Sequence, residues 1–435
     1  MRSAVLRDLK SRGLIAGLTS PEELDRHLAE GSRTVYGGFD PTADSLHVGS
    51  LLPLLVLRRF QQAGHVPIVL IGGGTGLIGD PSGKTSERPL NSPEQVAAWA
   101  ERLRQQVARF LDLEAGPQAA RLLDNNAWLS RLDVVSFLRD VGKEFAVGSM
   151  LAKESVRSRL GRAEAGLSYT EFSYQVLQAY DFLELWRAQG CTVQIGGSDQ
   201  WGNITAGIDL IRRKAAGEAY GLTHPLVTKS DGSKFGKTEA GAVWLDAAKT
   251  STYEFYQFWV NTADADVELF LKFFTFLGLE EIEELRQATL RTPEKRAAQR
   301  VLAREVTRLV HGDAATREAQ TISEALFSGD VGALTEEQLT QAFRGVPATP
   351  VAVGAPEGLP VVDLLVAAAL APSKRAAREL LSRGAIQLNG QRVSDPAQRV
   401  SPATALHGRF VVLRKGRRTY HLVTFTSGHR HGPAA

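Results

Sequence analysis

The hydrophobic pattern of residues 34–71 alternates between short strands and one helix. The segment VPIVLI, residues 66–71, is a continuous apolar run with the length of a buried strand. Before it, residues 45–65 carry leucines at helical spacing, and TVYGGFD, residues 34–40, is a short apolar run that ends in glycines. Strand, helix and strand at this spacing predict a βαβ unit in a parallel sheet, with ligands at the carboxyl ends of the strands.

The same alternation returns further along the chain and then gives way to other patterns. Strand-like runs that end in polar turns occur in residues 121–129 and 191–200. From Thr252 to Phe327 apolar residues recur at helical spacing, and a Pro-, Gly- and Ala-rich stretch follows. Beyond it, Ser373 can cap a helix and Asn389-Gly390 is a hairpin signal.

These patterns predict an α/β fold class in three parts. A Rossmann-like, doubly wound parallel sheet domain is followed by an α-helical domain and a small basic α+β domain. We place the first domain at 1–245, the helical domain at 246–340, a linker at 341–358, the small domain at 359–426 and a disordered tail at 427–435.

Composition narrows the class of protein. The chain has 435 residues, 43% hydrophobic and 23% charged, which is typical of a soluble globular protein with two or three domains. No apolar stretch reaches the length of a membrane span, so we expect a cytoplasmic protein without a membrane partner. The single cysteine, Cys191, excludes an internal disulfide framework, and the 9 histidines show no zinc-ligand spacing. We interpret Cys191 as a packed strand residue, with a catalytic thiol as the alternative.

Charge is distributed unevenly along the chain. Residues 341–435 hold 13 Lys or Arg against 4 Asp or Glu, whereas the rest of the chain holds 38 against 44. A basic terminal module on a nearly neutral body indicates a polyanionic partner, most simply a nucleic acid. A solvated face is the alternative for the three cations of one helix, but two later arginines favour contact with RNA or DNA. The predicted contacts are Lys374, Arg375, Arg378, Arg383 and Arg392.

The stretch GGGTGLIGDPSGKT, residues 72–85, resembles two phosphate-binding loops and fits neither. A P-loop needs a glycine five places before Gly83, and that place holds Ile78. A dinucleotide fingerprint must open into a helix, whereas Gly79 is followed by Asp80 and a proline. What remains is a glycine-lined strand end with an acid suited to a ligand ammonium, or else a turn without function.

In three other segments, polar residues lie at a helix start, on one helix face and at a strand end, where they can contact a ligand. His47 opens a helix after a glycine-ended strand, a position from which it can donate to a phosphate oxygen. Tyr174, Gln178 and Asp181 fall on one face of one helix among apolar neighbours, so they need buried partners. Asp199, after a second glycine pair, suits ribose hydroxyls. The alternatives are that His47 is structural, that the polar residues of the helix share a face by chance, and that Asp199 lies in a turn without function.

A lysine-rich loop follows in VTKSDGSKFGKTEAG. Lys229, Lys234 and Lys237 alternate there with Gly232 and Gly236. Glycines make such a loop mobile and lysines allow it to hold phosphates, so we predict a loop that closes on pyrophosphate. A solvated basic loop is the alternative.

Several of these segments together resemble one family. HVGS is similar to the HIGH motif, and KFGKT to the KMSKS loop, of class I aminoacyl-tRNA synthetases. With YGGFDPTADSLHVG, GLIGDPSGK, YQVLQAYDF and GGSDQWGN in order, the chain resembles the bacterial tyrosyl-tRNA synthetases over nearly its full length. The basic terminal unit also resembles an RNA-binding module shared with ribosomal small-subunit proteins.

The resemblance implies a role for individual positions. For tyrosine, it implies a phenol site of Tyr36 and Asp181, an amino-group site of Asp80, Tyr174 and Gln178, and a nearby Gln200. For ATP and the adenylate, it implies contacts from Gly38, Asp40, His47, Gly49, Ser50, Gly197, Asp199 and Lys237. For catalysis, it implies Thr42, His47, Lys84, Arg88, Lys234, Lys237 and Thr238. Ser50 stands where the HIGH motif has its second histidine, and Gly37 where family members often have cysteine.

The same resemblance implies a reaction and partners. Such an enzyme activates L-tyrosine with ATP, which enters with Mg²⁺ and without a dedicated protein metal site, and transfers the tyrosyl group to tRNA(Tyr). A homodimer is implied, with domain 1–245 binding ATP and tyrosine and domain 246–340 on the anticodon side. The phenol pair and the basic module argue against the tryptophanyl sister enzymes. A non-catalytic RNA-binding protein on a synthetase scaffold is the rival of a different class, and a cytidylyltransferase would not need the phenol-binding helix.

Overall fold

The computed structural model describes residues 1–82, 90–114, 116–151, 156, 167–233, 235–238, 241–352, 358–416 and 419–426. The chain forms two compact units. The first comprises Met1–Thr250 and Phe258–Val310, and the second comprises Ser251–Gln257 and His311–Ala435. The predicted tail 427–435 lies outside the described residues.

The helices of the first unit begin near the N-terminus and are interspersed with six strands. The helices are α1 Ala4–Ser11, α2 Pro21–Ala29, α3 Val48–Gln62, α4 Pro93–Val107, α5 Asn126–Leu129, α6 Val134–Asp140, α7 Val147–Leu151, α8 Tyr169–Gln189 and α9 Trp201–Ala215. The strands are β1 Gly17–Leu18, β2 Thr34–Phe39, β3 Val66–Ile71, β4 Arg121–Asp124, β5 Cys191–Gly197 and β6 Tyr220–His224. A short hairpin, β7 Lys237–Thr238 and β8 Gly241–Ala242, and helices α10 Thr252–Val260, α11 Asp264–Phe274, α12 Leu279–Arg291 and α13 Ala297–Ser328 follow. The chain passes between the units within α10 and α13, and α13 is kinked at Gly312.

One six-stranded sheet organises the first unit, in the order β1-β6-β5-β2-β3-β4. The chain proceeds outward from β2 through β3 to β4, and then continues on the other side of β2 with β5 and β6. The crevice between β2 and β5 is therefore a topological switch point, where open α/β sheets bind their ligands. Neighbouring strands are parallel except for β1, which pairs antiparallel with β6. The sheet is thus mixed rather than purely parallel as predicted. The sequence did not reveal β1 because a two-residue edge strand has no periodic signal.

The sheet is buried on both faces. All six residues of β3 are buried, as its continuous apolar run predicts. On one face Leu57 of α3 packs close to Gly37 of β2, and on the other Phe182 of α8 packs against Tyr36 of β2, with ring centres 5.2 Å apart. No described helix is both long and apolar enough to cross a membrane.

A buried charge cluster joins α1 and α3 to residues 275–277. Asp8 accepts a hydrogen bond from Arg12 Nε at 2.8 Å and one from Arg59 Nη1 at 3.0 Å. Arg59 also donates to the carbonyl of Thr275, and its guanidinium lies 4.5 Å from the ring centre of Phe276. Burial, with the charge of Arg12, lowers the pKa of Arg59 to about 10. One carboxylate therefore balances two largely buried guanidinium groups.

The second unit contains a five-stranded sheet. Its strands are β9 Ala348–Ala352, β11 Ile386–Leu388, β12 Gln391–Arg392, β14 Phe410–Lys415 and β15 Thr419–Thr426, which lie in the order β12-β11-β14-β15-β9. A separate pair is formed by β10 Leu359–Pro360 and β13 Arg399–Val400. Its helices include α14 Glu336–Ala342, α15 Val361–Ala367 and α16 Lys374–Ser382. A core of valine, leucine and isoleucine side chains lies between α15, α16 and the sheet.

Local predictions in the second unit have mixed outcomes. The Asn389-Gly390 turn joins β11 to β12 with both residues at positive φ, and Ser373 Oγ accepts from Ala376 N at the start of α16, as predicted. By contrast, residues 348–352 of the predicted linker form β9, which pairs parallel with β15. Pro350 is tolerated because β9 is an edge strand, where one side of the backbone needs no ladder hydrogen bond.

Candidate active site

A cavity of about 340 Å³ lies at the carboxyl ends of β2, β3 and β5. The predicted site residues that line it are Tyr36, Gly38, Asp40, Thr42, His47, Gly49, Ser50, Asp80, Tyr174, Gln178, Asp181, Gly197, Asp199 and Gln200. These residues come from segments far apart in sequence, and the switch point brings them to one place. Lys237 is not among the lining residues.

The deep end of the cavity holds Asp181, which is 2% exposed on α8. Trp128 Nε1 donates to its Oδ1 at 2.7 Å, and Asn125 Nδ2 donates to its Oδ2 at 2.9 Å. Burial raises the pKa of Asp181 to about 7, and these two hydrogen bonds oppose that rise. A carboxylate has about four acceptor sites, so two fixed donors leave room for a ligand hydroxyl.

The hydroxyl of Tyr36 also faces this end of the site. Tyr36 is 1% exposed, and its hydroxyl has no hydrogen-bond partner among the described residues. Burial, with the charge of Asp181, raises the pKa of Tyr36 well above 10, so the hydroxyl keeps its proton. Gln194, its register partner on β5, has a buried and unpartnered Oε1. Buried polar groups of this kind require partners, and a ligand hydroxyl would supply one.

A second polar group surrounds Asp80. Its Oδ1 accepts from the Ser82 backbone at 2.9 Å and its Oδ2 from Gln200 Nε2 at 2.7 Å. Asn203 Nδ2 donates to the side-chain carbonyls of Gln178, at 2.9 Å, and Gln200, at 3.1 Å. A fixed carboxylate beside amide oxygens suits a cationic ligand group such as an ammonium.

A chain of hydrogen bonds joins the two ends. Tyr174 Oη donates to Asp40 Oδ2 at 2.7 Å, and Thr75 Oγ1 donates to Asp40 Oδ1 at 2.8 Å. Asn125 Nδ2 donates to Thr75 Oγ1 at 2.9 Å as well as to Asp181. The side chains of the site therefore hold each other in place before any ligand binds.

The mouth of the cavity is formed by the N-terminus of α3. His47 is the N-cap, and its Nδ1 accepts from the Gly49 backbone at 3.0 Å. In the neutral ring, Nε2 therefore carries the proton and is a donor. Donors and the positive end of the helix dipole together favour an anionic group such as a phosphate.

The loop that follows Lys229 is anchored close to this helix. Gly236 has φ of 77°, and a Cβ there would lie 2.8 Å from Val48 Cγ2. Phe235 packs against four aromatic rings, those of Phe258, Trp259, Phe270 and Phe274. Lys237 begins β7 and is exposed, and the backbone of Thr238 pairs in the same hairpin. Lys84, Arg88 and Lys234 lie outside the described residues.

The predicted RNA-contacting residues belong to the second unit, whereas the cavity belongs to the first. All five are exposed. Lys374 pairs with Asp363 at 2.6 Å, and Arg383 pairs with Glu379. Arg375 and Arg378 have no ion pair among the described residues. Arg392 lies against Gly384, next to Arg383.

Sequence reasoning missed several residues that support the site. Asn125, Trp128, Thr75 and Asn203 all bond to predicted site residues. Asn125 follows a strand that sequence reasoning identified, so its position at a strand end was a usable signal. Trp128 had no such signal, and Asn203 was not singled out although it ends the segment GGSDQWGN, because the contacts of both residues depend on the approach of α8.

Comparisons with known proteins agree over nearly the whole chain. The family model of class I tRNA synthetases (W and Y) matches residues 28–328, and that of the tyrosine--tRNA ligase SYY-like C-terminal domain matches residues 338–423. The tyrosine--tRNA ligase of Bacillus caldotenax is 56% identical over 97% of this chain and 99% of that protein. Tyrosine--tRNA ligase 1 of Bacillus subtilis (strain 168) is 53% identical over 97% of this chain and 99% of that protein.

A solved structure agrees as well. The crystal structure of a C-terminally truncated Aspergillus nidulans mitochondrial tyrosyl-tRNA synthetase matches with a TM-score of 0.68 and 32% identity, covering 75% of this chain and 95% of that one. The predicted resemblance and fold class are thereby confirmed. The chain belongs to the class I tRNA synthetases and, within them, to the tyrosine–tRNA ligase family.

Proposed function

We propose that the chain activates L-tyrosine with ATP and transfers the tyrosyl group to tRNA(Tyr). In the first step the tyrosine carboxylate attacks the α-phosphorus, an O–P bond forms, and pyrophosphate leaves. In the second, the terminal adenosine hydroxyl of the tRNA attacks the carbonyl carbon, and AMP leaves. The observation that carries the proposal is the buried, unpartnered Tyr36 hydroxyl close to Asp181, in a cavity whose mouth is a helix N-terminus.

Tyrosine selection follows from the deep end of the cavity. The phenol would donate to Asp181 and bond to Tyr36, while Asp80, Tyr174 and Gln178 would hold the amino group. Phenylalanine would leave a buried carboxylate without its ligand partner, which is costly. Tyrosyl-tRNA synthetases are the standard example of such discrimination, and a factor of about 10⁵ against phenylalanine is the value known for that family.

The first step needs alignment and positive charge rather than a base. A carboxylate is already nucleophilic at neutral pH, so the site must hold it in line with the phosphorus and stabilise the departing charge. His47 Nε2–H and Thr42, which line the mouth, would meet the phosphates, with Gly49 and Ser50 beside them. By family resemblance, Lys84, Arg88, Lys234, Lys237 and Thr238 would close on the pyrophosphate. Gly38, Asp40, Gly197 and Asp199 would contact the adenylate, and Mg²⁺ would enter with ATP as part of the substrate.

Amino-acid-dependent exchange of labelled pyrophosphate into ATP tests the proposal. We expect exchange with tyrosine and not with phenylalanine or tryptophan. Exchange with tryptophan would assign the activity of the sister enzymes instead. No exchange with any of the three, together with binding of tRNA, would favour a non-catalytic RNA-binding protein.

The role of His47 has a separate test. In His47→Ala we expect adenylate formation to slow on the order of 10²-fold, because a donor to the transition-state phosphate is lost. Tyrosine affinity should change little, because His47 lies at the mouth and the phenol site at the deep end. Pre-steady-state rates and fluorescence titration measure the two, and equal losses would contradict the assignment.

We also propose that the active form is a cytoplasmic homodimer. Six large apolar side chains are exposed among the described residues of 134–169, at exposures from 41% to 72%: Val134, Val135, Leu138, Val147, Leu151 and Tyr169. Exposed apolar side chains gathered in one part of a chain are typical of a protein interface, and a second copy is the occupant that the family resemblance implies. Val135→Glu should shift sedimentation from dimer to monomer, whereas Leu290→Glu, at an equally exposed site on α12, should not. A monomeric wild-type protein would overturn this proposal.

A further inference from the structure

One histidine at the edge of the cavity has no role in the proposed chemistry. His224 is the last residue of β6, and its register partner on β5 is Gly197. It lines the cavity together with Asp199 and Leu226. A Cβ on Gly197 would lie 2.5 Å from Asp199 Oδ1 and 3.0 Å from Leu226 Cδ2, so both side chains reach over this glycine. His224 therefore stands next to the position assigned to the ribose.

Strand alternation fixes the face of the sheet on which His224 lies. Side chains of parallel register partners share a face, so His224 is on the same face as Gly197 and Ile195. A Cβ on Gly37 would lie 3.4 Å from Ile195 Cγ1 and 3.3 Å from Leu57 Cδ1 of α3, so these two side chains lie on the same face. This is the face covered by α3, whose first turn carries His47. The opposite face, below Gly196, is covered by Gln200 and Ile204 and holds the tyrosine-binding groups.

The imidazole of His224 presents one unpaired acceptor. Its Nδ1 lies 3.0 Å from the carbonyl oxygen of Pro225, and because a carbonyl only accepts, Nδ1 carries the proton. Burial lowers the pKa of His224, so the ring is neutral and Nε2 holds a lone pair. Nε2 is buried and has no partner among the described residues, and the side chain as a whole is 5% exposed. Such an acceptor is costly to leave unpaired, which points to a ligand donor.

The chemistry of ATP limits what that donor can be. Phosphate oxygens and the ring nitrogens of adenine carry lone pairs and would be repelled by Nε2. The donors on the nucleotide are the exocyclic amino group of adenine and the ribose hydroxyls. We propose that His224 Nε2 accepts a hydrogen bond from one of these adenosine donors and thereby selects the nucleotide, an inference that rests on the proposed use of ATP.

Two nucleotide analogues separate the possible donors. ITP has a carbonyl in place of the exocyclic amino group, and 2′,3′-dideoxyATP lacks both ribose hydroxyls. We would measure the Kd of ATP, ITP and 2′,3′-dideoxyATP by equilibrium dialysis for the wild type, His224→Phe and His224→Gln. The Gln variant places an amide oxygen near the position of Nε2, and Thr223→Val, one residue earlier on the opposite face, is the matched control.

We expect His224→Phe to weaken ATP binding by about 3- to 10-fold, the loss of one hydrogen bond. It should weaken binding of the analogue that lacks the donor much less, so that selectivity for ATP over that analogue falls by the same factor. Lost selectivity against ITP identifies the amino group, and lost selectivity against 2′,3′-dideoxyATP identifies a ribose hydroxyl. His224→Gln should recover part of the selectivity, and Thr223→Val should keep all of it.

Other outcomes overturn the inference. Unchanged selectivity in His224→Phe, or an equal loss for all three nucleotides, would give His224 a packing role only. Tyrosine affinity, measured at the far end of the cavity, shows that the variant is folded. A wild-type protein that neither binds ATP nor exchanges pyrophosphate would overturn the proposed function itself, a result distinct from normal exchange with unchanged selectivity.

Discussion

At the residue scale, the protonation of Asp181 decides how the site treats a phenol. The carboxylate is buried, and its raised pKa, about 7, lies within the physiological range. Above that pH it is an ionised acceptor for a phenol hydroxyl, and below it the acceptor carries a proton. Asn125 and Trp128 favour the ionised form because each donates to one of its oxygens.

Tyrosine affinity should therefore depend on pH. We expect the Kd for tyrosine to rise as the pH falls through about 7, and the midpoint to move to higher pH in Asn125→Ala, which loses a donor that lowers the pKa. Asn126→Ala, at the exposed neighbouring position, should keep the wild-type profile. Fluorescence titration with tyrosine between about pH 5.5 and 8.5 would measure both midpoints. A Kd that does not change with pH in the wild type would refute the assigned protonation.

At the element scale, α3 connects the catalytic mouth to the rest of the first unit. Its N-terminus carries His47, its middle packs on the sheet, and its C-terminal turn carries Arg59 in the charge cluster with Asp8 and Arg12. The backbone of Val48 also bonds to Val243, and that of Gly236 to Val243, so the lysine-rich loop is tied to the same helix. The position of the mouth thus depends on contacts made at both ends of one helix.

Asp8→Asn should destabilise the first unit. The change leaves two guanidinium groups, with side chains 7% and 4% exposed, without their shared carboxylate. Breaking a buried pair costs about 3–5 kcal/mol, and we expect about 2–3 kcal/mol because the Asp8 side chain is 37% exposed. Urea unfolding measures the change. Asp209→Asn, which breaks an exposed pair with Arg212, should change the free energy of unfolding by less than about 0.5 kcal/mol.

Phe235→Ala should affect activation without affecting tyrosine binding. The aromatic cluster holds the loop between Lys229 and Lys237, and a loop that is displaced by an ångström can lose on the order of 10²-fold in rate. We expect slower adenylate formation and an unchanged Kd for tyrosine. Phe327→Ala, at a site that is 84% exposed in the second unit, is the control. An unchanged rate in Phe235→Ala would mean that the cluster does not position the loop.

The sequence predicted the elements that have strong periodicity, and missed what depends on tertiary contacts. The strands at 34–39 and 66–71, the helix start at His47 and the cap at Ser373 follow from local signals. The edge strands β1 and β9 do not follow from local signals. β1 has only two residues and β9 contains a proline, so each gains strand geometry only by pairing with its neighbour. The motif residues of the cavity were identified through the family resemblance, whereas the supporting roles of Trp128 and Asn203 depend on tertiary hydrogen bonds to α8.

At the scale of the whole molecule, the two units carry different chemistry. The cavity for small substrates lies in the first unit. The exposed cations of α16 lie in the second, within residues 341–435, which hold 13 Lys or Arg against 4 Asp or Glu. We propose that the second unit contributes tRNA affinity through phosphate contacts, which are sensitive to salt. Arg375 and Arg378 are the best candidates, since no described acidic side chain pairs with them.

Arg375→Ala/Arg378→Ala should lower tRNA affinity and leave tyrosine activation unchanged. Each lost phosphate contact should make the slope of log K against log salt concentration shallower by about 0.7 to 0.9. The matched control is Arg26→Ala/Arg212→Ala, which removes two exposed cations of the first unit. Filter binding of tRNA across a salt series measures the slopes. Equal slopes for the wild type and the α16 variant would exclude these arginines as phosphate contacts.

The hydrogen-bonded chain from Tyr174 through Asp40, Thr75 and Asn125 to Asp181 has a consequence for engineering. An enzyme intended to charge tRNA with a non-natural, para-substituted phenylalanine must give up the carboxylate at its deep end. Removing Asp181 alone leaves Asn125 and Trp128 each with a donor that has lost its acceptor, and the other bond of Asn125 reaches Thr75 and, through it, the carboxylate of Asp40. A selected variant should therefore carry compensating changes at Asn125 or Thr75, and libraries that vary Asp181 without these two positions would recover enzymes that accept the new side chain but activate it slowly.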